Sequence, residues 1–367
     1  MPQQYSIYKP RFGTGFYGGK FLPFHQGHLN CIFRAAAQCE KLNVVLMHHG
    51  PEELEFFAWE QEDAPSGDKA PCFPKRYLTP EYRELALRHE LQPFENIEVI
   101  SYDCREADER AQREGKHPWY YECEDMVNLM GHFDAAFSSE EAYSRAFREF
   151  YPWSEAVLLD PERKDVPISG TDLRAMPLSR AYVHLPRSYQ VLLNKSVLIT
   201  GTESCGKSNL VRKLAAFFAT TFTEEYGKLV CEEYNVNSPG IGLYNGFLFG
   251  QKSLEQKACE HANRVYFCDT DALVTAYYAR MFEKSELPLA YAIAQESHYD
   301  MVLYVEPTVP WVDDGYRCFG SPEQRSQGDS LLKSLYDKAG IVYHVLNGTY
   351  EENYRQAIKL TESLLDA

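Results

Sequence analysis

Two α/β domains in series, each a parallel sheet clad in helices, are what this sequence of 367 residues predicts. Three observations predict it. Strand-like apolar runs alternate with helical patterns along both halves of the chain, a rhythm that builds parallel sheets covered on both faces. Near the N-terminus, Gly19-Lys20-Phe21-Leu22-Pro23-Phe24-His25-Gln26-Gly27-His28 gathers glycines, a lysine and two histidines where a first strand meets a helix. Past the midpoint, the apolar run Val197–Thr200 leads into Gly201-Thr202-Glu203-Ser204-Cys205-Gly206-Lys207-Ser208, a complete phosphate-binding loop.

The elements follow in order. Asn43–Met47, Asn96–Ile100, Asp134–Phe137 and Ala156–Leu159 read as strands of the first half. A helix is expected from near Leu29, where Leu29, Ile32, Phe33 and Ala36 keep helical spacing. Thr79-Pro80 offers an N-cap and a first-turn proline for another. Residues 50–78 carry Pro51, Pro65, Gly67, Pro71 and Pro74 among acidic residues and are expected to form a long surface loop over the mouth of a site. The stretch from Leu185 to Lys195 is the expected boundary, giving domains 1–187 and 195–367. The second half resumes the alternation, with strands at Val265–Cys268, Met301–Val305 and Ile341–Val345.

Composition excludes several classes. A net charge of −16 disfavours nucleic acid and anionic membrane surfaces as partners. No apolar run approaches the length of a membrane span. The ten cysteines lack any C-x-x-C pair, so neither a zinc site nor a disulfide framework is indicated, and a reduced, cytoplasmic setting is expected. Any nucleotide site must therefore build its own positive field.

The first motif can do so. A helix N-terminus offers unpaired N–H groups and a partial positive charge to a triphosphate. His25 and His28 can reach anionic oxygens there, Gly19 and Gly27 let the backbone approach, and Lys20 adds a fixed charge beside Phe21. Farther on, Ile168-Ser169-Gly170-Thr171-Asp172-Leu173-Arg174 reads as a second helix start. Ser169 or Thr171 would cap it, and Arg174 would extend toward the β- and γ-phosphates. Such a site would direct attack at the α-phosphorus of ATP. It needs no protein nucleophile, only positioning and charge neutralisation.

The second motif would act at the γ-phosphate. Gly201, Ser204 and Gly206 belong to a loop whose N–H groups wrap phosphates, Lys207 neutralises them, and Ser208 ligates Mg²⁺. The strand ending in Asp269 is expected to hold the same ion through water. Asp271 would orient an acceptor hydroxyl, and Glu224-Glu225-Tyr226 offers either another carboxylate there, Glu225 the candidate, or a solvated helix start. A lid is expected over residues 311–325, with Arg317 and Arg325 closing on the transferring phosphoryl group and Trp311 and Tyr316 flanking a planar base. Cys205, inside the loop, is expected to be a reactive thiol of lowered pKa.

With both halves in place, the chain resembles the bifunctional nicotinamide-nucleotide adenylyltransferase and ribosylnicotinamide kinase family of NAD salvage, the NadR type. The resemblance covers nearly the whole chain. It includes Ser138-Ser139-Glu140-Glu141-Ala142, Leu159–Arg163, Ile168–Arg174, Glu225-Tyr226-Gly227, Asp269-Thr270-Asp271 and Trp311–Arg317. It implies a nucleotidyltransferase-type Rossmann-like domain followed by a P-loop kinase domain. The substrates it implies are nicotinamide riboside, phosphorylated in the second domain, and the resulting nicotinamide mononucleotide (NMN), adenylylated to NAD in the first. ATP and Mg²⁺ would serve both. Ser139 would belong to the first site, and Trp119, at an aromatic position of the family, would stack on the cationic nicotinamide ring. Oligomeric state is left open, a homo-oligomer included.

The chain also departs from the family. Better-known members carry an N-terminal helix-turn-helix repressor segment; here the His-x-Gly-His motif falls within the first 30 residues, so a repressor role is not carried over. Cys205 stands where the family has a small serine. Gly13, Gly15 and Gly18 are expected to break the first strand. Two other readings compete: a phosphopantetheine adenylyltransferase fused to a dephospho-CoA kinase, and a ligand-sensing regulator with degenerate sites. The Trp311–Arg317 and Asp269–Asp271 segments oppose the first, and intact Lys207, Ser208, His25, His28 and Arg174 oppose the second.

Overall fold

Each half of the chain winds a five-stranded, all-parallel sheet. The computed structural model describes residues 9–56, 73–236, 240–311 and 320–366. It divides into two compact units, Met1–Gln190 and Val191–Ala367. The expected linker is helical, Arg187–Leu193, and the division falls within that helix.

The strands of the first unit are β1 (Phe12–Gly19), β2 (Cys39–His48), β3 (Ile97–Asp103), β4 (Ala135–Ser138) and β5 (Glu155–Leu158), in the order β3-β2-β1-β4-β5. The chain proceeds from β1 to one side and later returns to the other, so the crevice beyond the carboxyl ends of β1 and β4 is a topological switch point. The first motif leaves β1 at that crevice.

β1 is not broken by its glycines. It pairs along its length with β2 and through Gly15–Tyr17 with β4. Close packing explains the glycines: a Cβ on Gly15 would lie 2.5 Å from Cys39 Sγ and 2.9 Å from the Phe137 ring. Phe16 packs into a core with Val45, Met126, Phe133 and Phe147.

The expected loop over residues 50–78 is anchored at both ends. Glu53–Phe56 is a short helix, Lys75–Leu78 a 3-10 turn, and Leu54, Phe73 and Leu78 are buried. The part between, residues 57–72, lies outside the described residues. The helix Pro80–Leu91 follows, with Thr79 as N-cap.

The second unit contains β6 (Lys195–Thr200), β7 (Phe222–Thr223), β8 (Val265–Asp269), β9 (Met301–Val305) and β10 (His344–Leu346), in the order β10-β9-β6-β8-β7. Alternation along β6 builds two cores. Val197 and Ile199 pack with Leu210, Val211 and Leu214 of the helix Lys207–Phe217. Leu198 faces the other way, onto Leu273, Tyr277, Leu332 and Tyr336. β10 begins three residues later than the apolar pattern suggests. Gly340, at φ 69°, caps the preceding helix, Ile341 N–H donates to the Tyr336 carbonyl, and Val342 is 87% exposed. Among the described residues no helix is long and apolar enough to cross a membrane.

Candidate active sites

In the first unit a cavity of about 540 Å³ opens at the switch point. The helix Gln26–Ala36 starts three residues earlier than its apolar spacing suggests, because His25 is its N-cap: the ring Nδ1 accepts from Gly27 N–H at 3.1 Å. His25 and His28 lie ring to ring, centroids 3.8 Å apart. His25 is buried and His28 half-buried, and desolvation pushes both imidazoles down, His25 to about 3, with Arg163 acting in the same direction. Two neutral rings can sit this close; two imidazolium ions could not. His28 Nδ1 is buried without a hydrogen-bond partner. Phe21, at φ 48°, packs edge-on against His28.

The second element converges on the same crevice. Ser169 is the N-cap of the helix Gly170–Ala175, in a capping box with Asp172. Arg174 is not held out toward solvent. Its Nη1 donates to the Leu22 carbonyl at 2.7 Å and its Nη2 to Thr171 Oγ1, which fixes the guanidinium at the cavity wall beside Gly170. Lys20, Gly19, Gly27 and Ser139 line the same cavity.

Trp119 lines this cavity too, parallel to Tyr143 at 5.6 Å and packed on Phe147. Two contributors are given no role by the sequence. Arg163, the last residue of the Leu159–Arg163 stretch, lies within a turn in which Asp160 accepts from the Lys164 and Asp165 N–H groups, and it acts electrostatically on both histidines. Arg83 is fully buried, bridging the Lys20 carbonyl and the Glu53 carboxylate, so it props the phosphate motif from behind. In sequence it is one more charged residue of a surface-like helix, and nothing in the spacing marks it.

In the second unit a cavity of about 410 Å³ lies over the phosphate loop, lined by Glu203, Ser204, Gly206, Lys207, Ser208, Glu225, Gln251, Thr270, Tyr278 and Tyr350. Gly201, at φ 140°, passes so close to β9 that a Cβ would sit 2.4 Å from the Val305 carbonyl. Gly206, at φ 94°, is the N-cap of the loop's helix and lies under the Tyr350 ring. Lys207 Nζ is tucked back onto the Thr202 carbonyl at 2.7 Å. Burial opposes its charge, but Cys205, Asp269, Glu225 and Glu203 together hold its pKa above the ordinary lysine value.

β6 and β8 are adjacent, with Ile199 opposite Asp269, so the strand ending in aspartate delivers its carboxylate beside the loop. Asp269 is 1% exposed and is bonded by Ser208, yet its Oδ1 lacks a partner. Among the described residues no three His, Cys, Asp or Glu side chains form a metal-holding cluster. Ser208 and Asp269 are thus a partial donor set of the kind that Mg²⁺ completes with water and phosphate oxygens.

The two carboxylates expected near the acceptor separate. Glu225 lines the cavity, and burial raises it to about 7 even with Lys207 pulling the other way. Glu224 is paired with Arg212 at 2.7 Å. Asp271 does not line the cavity. It is the N-cap of the helix Ala272–Glu283, and its Oδ1 accepts from Val274 N–H and from Tyr336 OH at 2.7 Å, a role that corrects the expected catalytic one.

Other expectations also change. Cys205 Sγ turns into the core and donates to the Thr202 carbonyl at 3.0 Å; burial raises the thiol, outweighing the pull of Lys207. Trp311 packs against Gly320 and does not line the cavity. Arg325 donates to the Val309 carbonyl at 2.8 Å and to Ser204 O at 3.4 Å, which sets it behind the phosphate loop. Arg317 and Tyr316 lie outside the described residues. Glu203, Gln251, Tyr278 and Tyr350 carried no signal of their own, since each joins the cavity only through the tertiary fold.

Known proteins resemble this chain in sequence and in fold. Residues 196–353 match the family model for an AAA domain. The chain is 29% identical over 362 residues to the trifunctional NAD biosynthesis/regulator protein NadR of Escherichia coli (strain K12), covering 95% of this chain and 82% of that protein. The NadR of Salmonella typhimurium matches at the same identity and coverage. Two solved structures share the fold across 97% of this chain at 22% identity. They are a NadR protein in complex with NR (TM-score 0.69, 96% of that chain) and a NadR protein in complex with NAD and AMP-PNP (TM-score 0.68, 97%). Over nearly its whole length the chain is similar to the NadR proteins, and it shares the two-domain α/β fold of the solved ones.

Proposed function

We propose that the chain is a bifunctional NAD-salvage transferase. The second domain phosphorylates nicotinamide riboside with ATP, and the first joins the resulting NMN to an adenylyl group from a second ATP, releasing pyrophosphate. The carrying observation is that each unit holds its own phosphate-binding motif at the wall of its own cavity, with the supporting side chains gathered around it. The similarity to NadR proteins over both units supports the same reading. It gives no support to a phosphopantetheine enzyme or to a regulator with degenerate sites.

In the first domain catalysis rests on positioning. His28, with its unpartnered ring nitrogen, and His25 bind the triphosphate as neutral donors, while Lys20, Arg163 and Arg174 balance its charge. Trp119 and Tyr143 offer aromatic faces to the nicotinamide ring. In the second domain Lys207 swings from the Thr202 carbonyl to the β- and γ-phosphates, and Glu225 accepts the proton of the acceptor hydroxyl. Ser208 and Asp269 would hold Mg²⁺, which neutralises phosphate charge when bound.

The partners in this reading are small molecules, with no role for nucleic acid or membrane. Incubating the purified chain with ATP, Mg²⁺ and nicotinamide riboside tests it. NMN should appear first and NAD after it, with one ADP released for each nicotinamide riboside phosphorylated and one pyrophosphate for each NAD formed. Absence of NMN and of NAD would overturn the proposal.

A further inference from the structure

Two unlike groups of side chains line the first-domain cavity. His25, His28 and Arg163, which act electrostatically on one another, form one with Arg174. Trp119, Tyr143 and Phe147, stacked together, form the other, and beside them the Glu122 carboxylate acts on Tyr143 and is itself offset by Lys20. Trp119 and Glu122 are three residues apart on the helix Trp119–Met130, so they share a face. That helix carries Glu122, Glu124 and Asp125 and no basic residue. Asp108 also lines the cavity and acts electrostatically on Glu122.

We propose that Glu122 is a specificity-determining residue of the first domain, favouring a mononucleotide whose pyridinium ring bears an uncharged amide over one whose ring bears a carboxylate. The inference rests on the adenylyl-transfer reading above. Ring stacking on Trp119 is available to both nucleotides, because both carry the ring cation. The substituent differs, and a substituent carboxylate would meet Glu122 and Asp108 as like charges inside a low-dielectric cavity. Burial holds Glu122 up to about 7; Asp108 and Asp125 push it the same way, and Lys20 opposes them. A pyridinium arriving beside it draws Glu122 back to the carboxylate form. The amide nucleotide thus gains an attraction, and the acid nucleotide pairs that attraction with a repulsion.

Steady-state adenylyl transfer to NMN and to nicotinate mononucleotide, on the full chain with Mg-ATP, tests this. The wild-type protein should favour NMN. Glu122→Gln, which keeps shape and removes charge, should narrow the ratio of kcat/KM values about tenfold, chiefly by improving the acid substrate. Glu122→Asp should retain the preference. An unchanged ratio in Glu122→Gln, or equal losses on both substrates, overturns the inference while leaving adenylyl transfer standing. A wild-type chain that adenylylates neither nucleotide overturns the adenylyl-transfer reading itself, and the inference with it.

Discussion

At the scale of single residues, electrostatics decides between side chains that spacing leaves equal. Glu225 and Asp271 both follow strands near a phosphate loop, and sequence offers no reason to choose. The fold chooses: Asp271 spends its carboxylate on a helix cap and Tyr336, and Glu225 faces the cavity. With its pKa raised to about 7, Glu225 is poised as a base near neutrality. Kinase kcat/KM should therefore rise with pH through about 7, and Glu225→Gln should flatten that limb and lower the rate on the order of a hundredfold or more. A pH profile unchanged in Glu225→Gln would remove it from catalysis.

Cys205 shows the opposite failure of local reasoning. Its neighbours in sequence favour a thiolate, but the side chain is 2% exposed among apolar residues, and desolvation wins. Brief alkylation followed by peptide mapping should leave Cys205 unlabelled while Cys231, half-buried at the second cavity, is modified. Early labelling of Cys205 would contradict the packing.

The paired histidines have a stability signature. Their folded pKa values lie below the unfolded value, so the unfolded state binds more protons as pH falls. Their contribution is intact above about 6.5 and is lost as pH drops toward about 3 for His25. For one such histidine the slope approaches about 1.4 kcal/mol per pH unit. Denaturant melts between neutral and mildly acidic pH should show a steeper acid loss in wild type than in His25→Asn. Equal slopes would mean the ring is charged in the folded protein.

At the scale of elements, apolar period and glycine chemistry made most strands legible, and the misreading of β1 has a definite cause. A glycine in a strand pattern signals either a break or a close approach, and sequence cannot say which. In β1 it is close approach, to Cys39 and Phe137, residues far away along the chain. In the phosphate loop it is both conformation and approach. Gly201→Ala places a Cβ against the Val305 carbonyl at an unfavourable φ, which should cost at least about 1–3 kcal/mol and abolish phosphoryl transfer. Gly242→Ala, in a helix where nothing lies within 4 Å, is the matched control and should not lower the melting temperature. If the two variants melt alike, the loop is not packed as described.

At the scale of the whole molecule, the order of motifs along the chain was enough to predict two parallel-sheet units. Sheet order and cavity walls were not legible, because they depend on which strands become neighbours. Those neighbours place Asp269 beside Ser208 and Arg163 beside His28, pairings no linear pattern contains. The central claim is that two complete and separate ATP sites lie in one chain, and a double dissociation tests it most directly. Lys207→Ala and His28→Ala are assayed in parallel for phosphorylation of nicotinamide riboside and for adenylylation of NMN. Lys207→Ala should abolish the first reaction and leave the second near wild type; His28→Ala should do the reverse, losing about 3 kcal/mol of transition-state stabilisation. Loss of both reactions in either folded variant would contradict the account.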